Sequence, residues 1–296
     1  MRKIYKLLLL FFALGCASEP VQEYATYENL LSIISDLQRH LDDDIYQFSM
    51  PLDPSGQNVF KATLIRLENY QQLSPDKFQE IVAYSRAKCH QKLGNFEEAL
   101  FYFQQTLSYE NGKLKNLAQK EAQWTQALIQ IFKIPVPRND INAILDQFDR
   151  RDTLFKKLMT EYEDIDTSLV WRELERNTLS KIEFLRQNRL LLTQGTNRVI
   201  QGYQNLIRDH KNSEQIYRYL LSLADFYVLL AKEYLVYHPA DTLAFQKEAF
   251  CQLTQPAIEI YRLIANVDGR LEKIEAQGSL VSLMALLEKY QILSDG

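Results

Sequence analysis

The spacing of apolar residues predicts an all-α chain, and three observations carry that expectation. Apolar positions recur at the helix period through nearly the whole length, no convincing alternating strand pattern exceeds four residues, and Gly and Pro are few, at 9 and 8. With 46% hydrophobic and 24% charged residues and no low-complexity tract, residues 16–296 are long enough to bury a sizeable core, as one extended domain or two small ones.

The first element is a leader. Arg2, Lys3 and Lys6 make a basic start, Leu7 to Leu14 an apolar run, and Gly15-Cys16 places a thiol after a small residue. Eight apolar residues reach only about 12 Å as a helix, against a hydrocarbon core of about 30 Å, so the run reads as a cleavable signal over 1–15 rather than a span. The segment resembles a bacterial lipoprotein signal, although Ala13 and Leu14 stand in the reverse of that family's preferred order. The resemblance implies acylation at Cys16 by chains such as palmitate. The residues alone also allow a plain signal peptide cut nearby, or an uncleaved anchor. Ala17-Ser18 lacks the Asp that in many Gram-negative bacteria retains lipoproteins at the inner membrane, which implies an outer-membrane anchor facing the periplasm. Residues 16–23 then form a tether, of which Glu19 to Glu23 reach about 15 Å extended.

Leu30, Leu31, Ile34, Leu37 and Leu41 line one face of a helix over about 24–41, which Asp42-Asp43-Asp44 breaks. A turn-rich linker at Met50 to Gly56 precedes a second helix over about 57–70, completing an N-terminal pair of helices within 24–73. Ser74-Pro75-Asp76 reads as the next helix start, with Pro at the first helical position. Further breaks fall at Ile134-Pro135-Val136-Pro137, Gln194-Gly195, His238-Pro239 and Asp268-Gly269. They divide the remainder into segments 74–133, 134–195 and 196–296.

Between Phe78 and Asn111 lies a helix hairpin with Ala87, Gly94, Phe96, Ala99, Phe103 and Thr106 at spacings that let two helices approach closely around a left-handed turn at Gly94. This pattern resembles a tetratricopeptide repeat, with Ala83 and His90 where the family favours Trp and Tyr and Asn111 in place of its closing Pro. The second-helix part, Ala99-x3-Phe103-x2-Thr106-Leu107, recurs as Val199-x3-Tyr203-x2-Leu206-Ile207 and as Ala257-x3-Tyr261-x2-Ile264-Ala265. The intervals are unequal. The first suggests three units of about 33 residues, with degenerate helical repeats within 134–195; the second implies lengthened helices around His238-Pro239. Across 139–192, Phe148, Leu154, Phe155, Leu158, Met159, Tyr162, Trp171, Leu174 and Leu185 fit buried faces. The middle copy, from Ile200 through Tyr227, stands nearest the family's form and resembles repeats of bacterial envelope proteins such as the helical lipoprotein of the outer-membrane β-barrel assembly machinery; the resemblance implies a tetratricopeptide-like α-solenoid, a right-handed superhelix of antiparallel helix hairpins.

Chemistry is sought and not found. His40, His90, His210 and His238 are dispersed without metal-ligand spacing, no C-x-x-C, phosphate-binding loop or nucleophile elbow occurs, and paired carboxylates follow from 38 acidic residues. His210 reads as a solvent-facing turn residue, and Cys89 and Cys251 as two separately buried thiols, or as a pair in an oxidising compartment if the fold brings them together. The three basic residues of the leader, taken from 34 Lys and Arg, leave 31 against 38 Asp and Glu. A surface so charged repels nucleic acid. Of the 17 Tyr, the nine at Tyr102, Tyr203, Tyr217, Tyr219, Tyr227, Tyr234, Tyr237, Tyr261 and Tyr290 fall mostly at helical spacing next to small residues, which reads as core packing. The expected function is a non-catalytic scaffold without a cofactor, binding an envelope protein or peptide segment. By the resemblance, Tyr84, Lys88 and Gln91 in the first hairpin and Arg218, Leu221 and Asp225 in the middle one face the partner groove. The alternative is a small-molecule or glycan-binding solenoid serving an envelope enzyme.

Overall fold

Helical periodicity becomes helix throughout the computed structural model, whose described residues are 23–42, 54–110, 112–135, 137, 140–162 and 167–290. They hold eleven α-helices and no strand. Five lie in a first unit: α1 (Glu23–Asp42), α2 (Pro54–Leu73), α3 (Gln79–Lys92), α4 (Phe96–Leu107) and α5 (Lys115–Phe132). Six lie in a second: α6 (Ile141–Glu161), α7 (Ser168–Asn188), a 3₁₀ turn (Arg189–Leu191), α8 (Gly195–Asp209), α9 (Ile216–Tyr237), α10 (Lys247–Ala265) and α11 (Glu272–Lys289). Within each unit, neighbours along the chain pack in series.

In the first unit α1 and α2 join through Leu30, Ile33, Leu67 and Tyr70, and Val82 of α3 closes that cluster. The helix start expected at Ser74-Pro75-Asp76 is instead a turn. The Ser74 N–H still bonds the Tyr70 carbonyl of α2 at 2.9 Å, and Phe78 adopts φ 51°, so helical geometry resumes only at Gln79. Between α3 and α4 the chain reverses at Gly94, whose φ of 79° costs a side-chain-bearing residue about 1–2 kcal/mol. Ala87 and Ala99 are fully buried where the two helices meet, and Phe103 fills the space toward Ala118 and Ala122 of α5.

Close approach recurs in the second unit, where a Cβ on Gly202 of α8 would fall 2.8 Å from the Ile182 side chain of α7. Helix α9 is buried on two sides. Tyr219, Leu223, Phe226 and Leu230 enter a cluster with α7 and α8, while Leu221, Ala224 and Ala231 enter another with α10 and α11. The nine apolar residues expected inside across 139–192 are all buried or half-buried.

All three recurring segments form helices, α4, α8 and α10, and each buries the same positions: Ala99, Phe103 and Thr106; Val199, Tyr203 and Leu206; Ala257, Tyr261 and Ile264. Their unequal spacing has a simple cause. Among the described residues three helices, α5, α6 and α7, of 18, 21 and 21 residues, lie between α4 and α8, fewer and longer than three 33-residue hairpins would supply. Two single-residue expectations also change. His210 is buried, with its ring edge-on to Trp171 at 5.9 Å and its imidazole pKa lowered by burial. Tyr237, the last residue of α9, is exposed.

Candidate functional site

In the second unit, α9 and α11 form the walls of a cavity of about 750 Å³ and Tyr261 of α10 lies in its floor. The clustered side chains Ala276 and Leu283 fix α11 on α10, and Arg218 of α9 donates to Glu275 of α11 at 2.7 Å. Asp225, exposed on α9, accepts the Tyr261 hydroxyl at 2.6 Å, which with burial raises the pKa of that phenol. Apolar surface comes from Val228, Leu229, Ile274 and Leu286, and polar atoms from Lys232, Ser279 and Ser282. Midway along α11 a Cβ on Gly278 would meet nothing within 4 Å, so the cavity reaches the helix backbone. An apolar trough with polar groups along it matches the amphipathic character of a segment from another chain.

Of the expected groove residues of this unit, Asp225 lines the cavity and Arg218 braces it, whereas Leu221 is buried in the core beneath. The first unit places its three differently. Tyr84 is half-buried with its ring edge-on to Phe103, and its phenol pKa is raised by burial and by the Glu121 carboxylate. Lys88 and Gln91 are buried. The Lys88 ammonium donates to Glu121 at 2.9 Å and to Gln91 at 2.8 Å, and the Gln91 amide donates to Glu121 at 3.0 Å and Thr125 at 3.2 Å. The structure thus turns Lys88 and Gln91 inward because α5 supplies a carboxylate and a hydroxyl that satisfy them. Sequence reasoning missed Glu121 and Thr125. Their signal was the separations of 33 and 34 residues from their partners, one repeat length.

A second cleft, of about 620 Å³, lies among α6, α7 and α8. Its acids are engaged: Asp149 pairs with Lys181, and Asp152, whose pKa burial raises, accepts from Asn177 at 2.6 Å. Beside it Glu175 is wholly buried. Its Oε1 accepts the hydroxyls of Ser213 and Tyr219, at 2.5 and 2.6 Å, and its Oε2 has no partner among the described residues. Burial raises its pKa.

Cys89 is a free thiol in the first unit, its pKa pushed up to about 12 by burial, and Cys251 is a free, half-buried thiol in the second. Among the described residues no three His, Cys, Asp or Glu are grouped to hold a metal, and no helix is long and apolar enough to cross a membrane. Cys16, the expected acylation site, lies outside the described residues. Compared with known proteins, the chain matches no protein-family model and no curated protein.

Proposed function

We propose that this chain is a tetratricopeptide-like α-solenoid, a right-handed superhelix of hairpins, which serves as a non-catalytic interaction scaffold tethered through acylated Cys16 to the outer membrane and facing the periplasm. The observation that carries the reading is the repeat-length offset of side chains joining α3 to α5. Glu80 accepts the Leu114 N–H, Lys88 pairs with Glu121 and Gln91 with Thr125, at 34, 33 and 34 residues. That is the length of a tetratricopeptide unit. In the second unit the corresponding offset lengthens, to 44 residues between Glu175 of α7 and Tyr219 of α9 and 57 between Arg218 of α9 and Glu275 of α11. Longer helices explain the increase. On this reading α9 and α11 are successive first helices, and the cavity between them is the inner groove in which such solenoids hold a partner segment.

Gly278→Leu tests the groove. The position is open, so the added side chain should fill the trough without clashing, and leucine favours helix over glycine by about 0.5–1 kcal/mol. Crosslinked pull-down from envelope extracts should lose a stoichiometric partner while melting stays level or rises. Undiminished recovery would place partner binding elsewhere. A cavity of about 750 Å³ also lies within the range of small-molecule sites, so a bound metabolite or glycan in native mass spectrometry with no protein partner would favour that second reading. For the anchor, labelled fatty acid should enter the wild-type chain and not Cys16→Ala.

A further inference from the structure

Contacts across the cleft among α6, α7 and α8 order it from end to end. Asp149 of α6 pairs with Lys181 of α7 and Asp152 with Asn177, so α6 runs antiparallel to α7. Gly202 of α8 lies against Ile182, and His210 just past α8 meets Trp171, so α8 runs antiparallel to α7 as well. Arg198, one turn before Gly202, therefore stands at one end of the cleft. Lys156, one turn beyond Asp152, stands at the other, where its charge favours the Asp152 carboxylate and opposes protonation of His210. Trp171 shares that end. Between the two, the stretch Arg198 to Asp209 of α8 runs about 16 Å.

The carboxylates of the cleft are engaged and most of its donors are not. Asp149 is held by Lys181, Asp152 by the Asn177 amide, and Asp209 by Arg208 at 2.8 Å. By contrast the Lys156 ammonium, the Arg198 guanidinium, the Trp171 indole N–H and the Gln201 and Asn205 amides all line the cleft and make no side-chain hydrogen bond or ion pair among the described residues. A cation at each end and a donor-rich middle call for an elongated ligand that carries acceptors and negative charge. A single phosphate cannot span the two ends. A peptide strand brings an N–H for every carbonyl and would find only two amide oxygens free to receive them. An acidic oligosaccharide brings carboxylates, ring oxygens and hydroxyls that turn to accept, and the apolar face of a pyranose ring suits the half-buried indole of Trp171. The volume of about 620 Å³ lies within the range of small-ligand sites.

We infer that this cleft binds a short acidic oligosaccharide laid along α8, with its carboxylates on Arg198 and Lys156 at the two ends, hydroxyls on Gln201 and Asn205 between them, and a terminal ring against Trp171. The site is separate from the α9–α11 groove and from the anchor. A glycan held here is additional to a partner held in that groove, so Gly278→Leu, which fills the groove, should leave it bound.

Trp171 is a natural reporter, because the other indole, Trp124, is fully buried in the first unit and gives a constant background. Titrating the full chain with trigalacturonate should change the Trp171 emission saturably, and Trp171→Phe should abolish that change. The same trisaccharide with its carboxylates reduced to alcohols should bind about tenfold more weakly or worse. Arg198→Gln and Lys156→Gln should each weaken trigalacturonate by about tenfold and leave melting unchanged, since neither side chain makes a bond whose loss would unfold the unit. No saturable change with trigalacturonate, equal binding of the reduced sugar, or full affinity in both charge variants would overturn the inference. So would tetraglutamate that binds as tightly as trigalacturonate and loses affinity in the same variants, the mark of a site for acidic peptides.

Discussion

Glu121→Ala removes the carboxylate that, among the described residues, bonds Lys88, and takes two acceptor oxygens from the polar cluster at once. In the native chain Oε1 receives the Lys88 ammonium and Oε2 the Gln91 amide, and both side-chain partners are buried. The alanine variant leaves the ammonium with Gln91 as its remaining partner among the described residues, in a site where the lysine side chain is only 10% exposed. Breaking a buried pair in this way costs about 3–5 kcal/mol. With a urea dependence of about 1–3 kcal/mol per molar, the unfolding midpoint of the first unit should fall by about 1–5 M. Trp124 provides the probe, since it sits on α5 one turn beyond Glu121 and is fully buried; Trp171→Phe removes the other indole. The triple replacement Lys88→Met, Gln91→Leu and Glu121→Leu should recover most of the loss, because apolar side chains of similar size carry no desolvation cost and no buried amide is left without its partners. A midpoint change under about 0.3 M for Glu121→Ala, or a triple variant no better than the single, would refute the claim that the cluster is a satisfied buried ion pair.

Other predictions are independent of that cluster. Ala224→Leu should cost about 1–3 kcal/mol in thermal unfolding, since Ala224 is fully buried between α9 and its neighbours and added methylenes have nowhere to go. Gly94→Ala should cost about 1–2 kcal/mol although its Cβ meets nothing within 4 Å, because the penalty is the left-handed backbone alone. For Glu175, burial lifts the folded pKa above the ordinary 4.5, so the folded chain holds the proton more tightly than the unfolded one. Its stabilising contribution is then fully present below pH 4.5 and lost as pH rises toward the raised value. Relative to Glu175→Gln, the wild type should lose melting temperature through that window and show a constant difference below it; a difference that widens on acidification would contradict the sign.

Helical class was legible because burial of one helix face imposes a 3.6-residue period on the chain itself. Second helices were legible for a related reason: Ala99, Val199 and Ala257 must be small where backbones cross, and the aromatic four residues later must fill the adjoining gap. What escaped was whether a polar residue on a first helix meets water or another helix. Lys88 and Arg218 look alike in sequence, yet one meets a buried Glu121 and the other an exposed Glu275. The carboxylate that buries Lys88 lies 33 residues away, and no local pattern around Lys88 announces it. Helix starts failed similarly, since the geometry at Phe78 depends on α2 continuing its hydrogen bonds to Ser74.

Helix α9, claimed by two apolar clusters, has a consequence for biosynthesis. When Tyr237 leaves the ribosome, the fully buried partners clustered with Tyr219, Leu223 and Phe226 have already been made, but those for Leu221, Ala224 and Ala231 extend to Leu287. At about 5–20 residues per second, the nascent chain carries a bare greasy stripe for several seconds before the remaining partners are translated. A stalled or cleaved product ending in the α9–α10 connection would retain that stripe permanently, making it a natural client for chaperones and a seed for aggregation.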